Sequence, residues 1–592
     1  MNDLTDVKFS SIENFKKRND LKVYKSEAWP LFALELYFRI ENIQYIASTS
    51  ITDGKNDRKC DLIYIDKENK RGVIIQSYFA EKISKIAKTN KASDLNTAVG
   101  WVLSSHEEQI PKLLLPRILE LRNAILDDEI EQLDVWYIHN CHEHSRVQSE
   151  MEIVGESAKA LLERHFSGST IKVSSKEIGI ETIEEWYDSS SAKILVTDEF
   201  EIETAGGYFT QKDTWEVFST AISGKWIHKM FKQYDEKLFS ANIRNYLGSI
   251  NTKYNINNGI KTTLLTEPSN FLVFNNGITA LVNDIEISKK TRSQSPLNQK
   301  IIISGISIVN GAQTTGAIGA LEEVDETTLI PVRFIKSKDG EVIDSIIRFN
   351  NSQNAVTVSD FRSTDFIQDR VKKEFKAEFP TMNYLGGRRG GTDDVIKRIK
   401  NLVVSDQVAQ SLTAFHGNPT DATHSKSKIW ANDDLYSNVF NENTKASHIV
   451  FVYSLFKSLV EYKQVLKDKS KENGLTSSEE DILNFFSYAG SIYLIINAVS
   501  ETLEEIIERK VSSKFSISFK ESLTLEEYVE NWKEIIPLFI SFSAHMKEAL
   551  DSKVKVHEDI KKSIEQFRSL VVATRGSNKE KYDNFKKLVK YN

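Results

Sequence analysis

The chain has 592 residues, of which 40% are hydrophobic and 27% charged, and a formal net charge of −7. That length exceeds one hydrophobic core and predicts roughly two to four domains, while the acidic balance excludes a chain coated in basic residues but leaves room for a local nucleic-acid groove. Two cysteines, Cys60 and Cys141, cannot staple a chain of this size, and no stretch has the apolar length of a signal peptide or a membrane span; a cytoplasmic protein with no membrane partner is expected.

Taken in order, residues 1–190 read as helix, strands, helices, strand, helix. Glu27 to Ile46 carries apolar residues at helical spacing and predicts a buried helix. Cys60 to Asp66 and Gly72 to Phe79 are strand candidates joined by a charged hairpin. Asp94 to Asp128 should be helical, broken near Pro111 and Pro116. Leu133 to His139 should be a strand and Met151 to Phe166 a helix.

Three polar positions stand out in this region: Glu35 in the first helix, Asp61 at the head of the first strand and Gln76 on the second. Their order and spacing resemble the PD-(D/E)XK superfamily, the restriction-endonuclease-like fold. The resemblance implies Mg²⁺ or Mn²⁺ held by Asp61 and Glu35 beside Gln76, activating water and neutralising a phosphodiester in DNA or RNA. The superfamily's lysine is missing, because Tyr78 stands two residues beyond Gln76, and a tyrosine cannot stabilise developing negative charge as an ammonium does. Two readings stay open. Lys82 or Lys85 on the following segment supplies the cation, or the domain only binds or packs. His139, Cys141, His142 and His144 also have zinc-ligand chemistry, but such a short segment rarely wraps a tetrahedral ion, so a polar strand end is expected.

Residues 191–430 form a second region, which holds 16 of the chain's 25 glycines and should therefore be rich in tight turns. Ala192 to Ile202 should enter a new sheet, with Gly206-Gly207 as a turn. Ile301 to Val309 should be a buried strand, Asn310-Gly311 its turn and Ala312 to Leu321 the start of a helix. Leu329 to Lys336 should be a strand and Glu341 to Asn350 a helix. A nucleotide or phosphate site is expected from Asn275, Asn276, Asn310, Gly311, Gln313 and Thr314, with Arg348, Asn350, Asn351 and Gln353 facing the turn. The competing expectation is that the asparagines only cap turns and strands. Arg244 and Arg362 are further cations that could neutralise a bound phosphate, and Tyr384 to Lys400 reads as a basic loop, with Arg388, Arg389, Lys397, Arg398 and Lys400 suited to phosphate contact or to solvent.

Four blocks of this region, LFSANIRNYLG (238–248), FNNGIT (274–279), IVNGAQT (308–314) and RFNNSQNAVTVSDFRSTD (348–365), resemble in sequence and order those of the AIPR family, the abortive infection phage resistance proteins of bacteria. The resemblance implies a phage-defence protein, with a phage-derived trigger or a neighbouring defence protein as further partner, but no settled reaction.

Residues 431–592 hold three glycines, one proline and long helical periodicities, predicting an all-α bundle suited to homo-oligomer contacts. Ser477 with Glu480 and Thr524 with Glu527 read as capping boxes. The expected fold class is a mixed α/β and α+β multidomain chain: a restriction-endonuclease-like α/β core, a central α/β domain and a C-terminal helical domain.

Overall fold

The computed structural model describes residues 9–591 except 39, 41, 53–57, 85, 113, 167–170, 192–193, 195, 243–255, 289–296, 298, 341, 344, 348–349, 351–365, 387–400 and 472–473. Lys85, Arg244, Arg348, Asn351, Gln353, Arg362 and the basic cluster from Arg388 to Lys400 fall outside the described residues.

The chain builds a mixed α/β protein with two large sheets and many helices. The first sheet has the order β1-β2-β3-β4, with β1 Leu62–Asp66, β2 Arg71–Tyr78, β3 Gln132–His139 and β4 Lys172–Ile178. β1 and β2 form an antiparallel hairpin, and β3 and β4 join in parallel through helical crossovers, which is why β2 and β3 are buried on both faces. Alternation along the strands sends Ile63, Ile74, Val135 and Tyr137 to a core with helices Thr89–Ser104, Leu115–Leu126 and Ser145–His165. Leu62, Val73, Ile75 and Trp136 go to the opposite core, under helices Ala28–Phe38 and Ile180–Ser191. The expected helix Glu27 to Ile46 divides in two, because Asn42 caps a separate helix Ile43–Ser50 by accepting from the Tyr45 N–H.

The second sheet has the order β5-β6-β10-β7-β9-β8: β5 Val196–Lys212, β6 Trp215–Ser223, β7 Ile278–Val282, β8 Asp284–Ile287, β9 Gln299–Asn310 and β10 Leu329–Ser337. β5 pairs with β9 along its first half and with β6 along its second, so the sheet curls back on itself. Gly206 and Gly207 lie inside β5, at the register shift between these halves, and form a bulge instead of the expected turn. A Cβ at Gly207 would sit 2.0 Å from the Ser219 carbonyl oxygen. One face of the sheet carries Phe218, Ala280, Ile308 and Phe334 into a core with helices Gly224–Tyr234 and Ala312–Gly319. The second face, with Leu281, Val309 and Ile335, is covered by Ile343, Ile346 and Ile347.

A further hydrophobic cluster runs from Val371 to Val589 and is built almost wholly on helices, among them Ser405–Phe415, Ala446–Lys471 and Ser491–Glu501. The C-terminal region is not purely helical: Ser518–Phe519 pairs with Val589–Lys590. Thr524 and Glu527 form the expected capping box, whereas the other box is Thr476 with Glu479, one residue before the expected pair, because Thr476 is the residue with extended backbone at the helix entrance. Among the described residues no single helix is long and apolar enough to cross a membrane. The first domain rests on the helical one. Lys467 Nζ donates to the Ala47 and Ile51 carbonyl oxygens at the end of helix Ile43–Ser50, and the Tyr45 ring packs 5.7 Å from that of Phe456.

Candidate functional site

At the carboxyl ends of β2, β3 and β4, polar side chains line up across the first sheet. Gln76 pairs in register with Tyr137, Tyr137 with Glu177, and Tyr78 with His139. Asp61 enters the same row beside Gln76, whose Nε2 donates to both its carboxylate oxygens at 3.0 Å. Ser77 adds its N–H at 2.7 Å and its hydroxyl at 2.8 Å. Asp61, Gln76, Tyr137, His139 and Glu177 are all buried, and ligands of parallel α/β sheets bind at this strand end. Gln76 Oε1 is buried and accepts no hydrogen bond from the described residues. An orphaned buried acceptor of that kind costs about 1–3 kcal/mol. The Tyr137 phenol is raised well above its ordinary range by burial, then by Cys141, Tyr78, Glu177 and Asp61. It stays protonated and donates to the Lys88 carbonyl oxygen at 3.1 Å.

The other residues expected in this site have different surroundings. Glu35 sits on the helix covering the opposite face of the sheet, in a two-point ion pair with Arg18 at 2.6 and 3.1 Å. Arg18 also holds Asp20. Lys82 lies exposed in the loop after β2. Lys88, which sequence reasoning passed over, places its Nζ 4.9 Å over the Tyr78 ring. The signal that could have found it is weak, since Lys88 is one of many lysines and only the path of the 79–88 loop brings it back. The four residues of the HNCHEH segment each have a separate partner. His139 Nε2 meets Glu177 at 3.0 Å, His142 meets Glu181, His144 caps helix Ser145–His165, and Ser84 Oγ lies 3.1 Å from the buried Cys141 Sγ. Among the described residues no group of three or more His, Cys, Asp or Glu side chains is arranged to hold a metal ion. The donors at the strand end are therefore Asp61 and the Gln76 amide oxygen. Of these two groups only Asp61 is a carboxylate, and it is the amide nitrogen of Gln76, not its oxygen, that faces it.

In the central domain the two glycine motifs interlock. Gly277 (φ +79°) and Gly311 (φ +94°) adopt left-handed backbone. A Cβ on Gly277 would lie 2.2 Å from the Pro331 carbonyl oxygen, and one on Gly311 would lie 2.8 Å from that of Gly277. Asn275 Oδ1 accepts from the Gly277 N–H and from Thr314 Oγ1, tying the motifs together. Thr315 Oγ1 donates to the Gly311 carbonyl oxygen. This corner is packed backbone against backbone, and Asn275, Gly277, Gly311 and Thr314 all take part in it. Asn276 is exposed and Gln313 half-buried.

Asn310 and Asn350 are connected through Thr279 and Arg333. Asn310 pairs with Thr279 on β7, and Thr279 with Arg333 on β10. Arg333 Nη2 donates to Thr279 Oγ1 and to Asn350 Oδ1, both at 2.8 Å. Sequence reasoning missed Arg333, which lies in an unremarkable strand between apolar residues.

A family model described as "AIPR protein" matches residues 239–565, a span that holds the interlocked glycine motifs, Arg333 and most of the helical core. No curated protein and no solved structure matches the chain. The match extends over more than half of the chain, and the chain belongs to the AIPR family, a membership that suggests anti-phage defence by abortive infection.

Proposed function

We propose that the protein is an abortive-infection effector whose N-terminal domain is a metal-dependent nuclease acting on DNA or RNA in the cytoplasm. The observation that carries this reading is the buried Gln76 amide, whose oxygen accepts no hydrogen bond among the described residues while its nitrogen lies against the Asp61 carboxylate at a strand end. Rotating that amide by half a turn, a change invisible to its shape, would put a second oxygen donor beside Asp61. Mg²⁺ or Mn²⁺ bound there would activate water and neutralise charge on the phosphate. Ser77 would keep Asp61 oriented, and Lys88 above Tyr78 would supply the positive charge that Tyr78 lacks. Tyr137, held neutral, would add no competing charge.

A second reading, a non-catalytic sensor on a degenerate nuclease fold, is favoured by the Arg18–Glu35 pair, which occupies a carboxylate that the PD-(D/E)XK pattern would give to metal. The deciding experiment sets wild type against Asp61→Ala and Gln76→Ala on plasmid DNA and total RNA, with Mg²⁺, with Mn²⁺ and with EDTA. Infected-cell extract is added in parallel to supply a trigger. Metal-dependent cleavage abolished by Asp61→Ala is expected. No cleavage under any condition, with Asp61→Ala still protecting cells from phage, would rule the nuclease out.

A further inference from the structure

Arg333 is held by neutral groups. Its Nη2 donates to a threonine hydroxyl and an asparagine amide oxygen, and among the described residues no carboxylate pairs with it. Asn350 is itself fixed, because its Nδ2 donates to the Ile346 carbonyl oxygen at 2.9 Å and leaves Oδ1 for the arginine. A guanidinium aimed by two neutral acceptors keeps its whole charge and three unused N–H donors for an incoming anion. The other cation of β10 differs: Lys336 is paired with Asp284 and Glu216.

The arginine stands beside a groove, joined to its lining through Asn350. Strand register places Trp215, Val217 and Ser219 of β6 opposite Ser337, Ile335 and Arg333 of β10, all on the second face. A groove of about 510 Å³ runs along this line, floored by Val217 and Ile335 and walled by Val342, Ile346 and Asn350. Trp215 and Asp339 lie at its far end. Four residues of strand separate the Trp215 and Arg333 levels, about 13 Å at the usual rise. Asp339 Oδ1 accepts from the Val342 N–H, and its negative charge disfavours phosphate at that end. The Ser219 hydroxyl, in register with Arg333, is buried without a hydrogen-bond partner among the described residues. Groove and arginine together thus run from an aromatic and apolar stretch at Trp215 to a cation held against the lining residue Asn350, a span of about 13 Å that a nucleoside di- or triphosphate can cover.

We propose that this face binds a nucleoside di- or triphosphate, with its phosphates on Arg333 and its base against Trp215. The site lies on β6 and β10, beside the packed Gly277–Gly311 corner, and owes nothing to the nuclease reading. The test is calorimetric titration of the full-length protein with ATP, GTP, ADP and inorganic pyrophosphate, without divalent metal. Saturable binding of at least one nucleotide is expected, weaker by about ten-fold or more in Arg333→Gln, the loss of one charge-assisted contact. Val217→Arg, which fills the groove and leaves Arg333 in place, should also abolish it. Circular dichroism and melting of both variants separate lost binding from lost fold. No nucleotide binding at millimolar concentration, or binding unchanged in a folded Arg333→Gln protein, would overturn the proposal. Pyrophosphate bound as tightly as every nucleotide would overturn the Trp215 half of it. The plasmid and RNA cleavage assay is unaffected by either result, so failure here and failure of the nuclease reading are distinguishable.

Discussion

Substituting the three glycines of the central motifs with alanine should give opposite results at neighbouring sites. Gly277 and Gly311 sit at φ +79° and +94°, and an added Cβ would meet backbone oxygen at 2.2 and 2.8 Å. Left-handed backbone costs a side-chain-bearing residue about 1–2 kcal/mol and forced overpacking about 1–3 more, so each substitution should destabilise the corner by about 2–5 kcal/mol. Gly316 lies within helix Ala312–Gly319, and a Cβ there meets nothing within 4 Å. Alanine at that position should stabilise by about 0.5–1 kcal/mol, because glycine is a poor helix former. A chain of several domains does not unfold in two states, so the measurement should be local. Hydrogen exchange followed by mass spectrometry on peptides from β7 and β9 reports the opening of this corner. Gly277→Ala should speed exchange there by about thirty-fold or more, and Gly316→Ala should slow it or leave it unchanged. Equal exchange in the two variants would refute the claim that the motif glycines exist to let backbones meet.

Two other substitutions probe chemistry and charge. If the strand-end site cleaves nucleic acid, Lys88→Ala should lower kcat by about 10²–10³ with little change in KM, and Lys82→Ala should change neither much; the reverse ranking would return the role to the exposed Lys82. In the helical core, His416 Nε2 and His448 Nε2 lie 3.1 Å apart, and His448 Nδ1 donates to the Ile517 carbonyl oxygen. Burial, then His448 and Lys514, hold His416 down to about 2, and burial holds His448 down to about 4, from the usual 6.5. Both folded values lie below the unfolded one, so the stabilisation is complete above pH 6.5 and fades as the pH falls toward 4. For His448 this amounts to about 3 kcal/mol. Hydrogen exchange in peptides from helix Ala446–Lys471, corrected for the intrinsic rate at each pH, should therefore lose protection more steeply between pH 6.5 and 4.5 in wild type than in His448→Gln, and parallel curves would contradict the buried neutral pair.

Local signals made several elements legible in the sequence. Alternating and continuous apolar runs marked β1, β2, β3, β9 and β10, and Pro111 and Pro116 marked the interruption between helices Thr89–Ser104 and Leu115–Leu126. The blocks at 274–279 and 308–314 were legible for another reason: Gly277 and Gly311 carry the constraint of a packed backbone corner in their own residue type. β4, β6, β7 and β8 were not foreseen, β7 although all five of its residues are buried. β4 and β6 are only partly buried over most of their length and β8 is short, so their apolar patterns are faint.

By itself, then, the sequence determined the family, the acidic multidomain character and the positions of Asp61 and Gln76, because these rest on residue type and short-range spacing. Only the tertiary structure decided which polar groups share a site. Glu35 looks like a partner for Asp61 along the chain, but its helix packs on the other face of the sheet, where Arg18 takes it. Lys88 and Arg333 carry no mark in the sequence, and become candidates because a returning loop sets one over Tyr78 and strand register sets the other between Thr279 and Asn350. Sheet register and the face on which a helix lands are properties of long-range packing, and no local pattern encodes them.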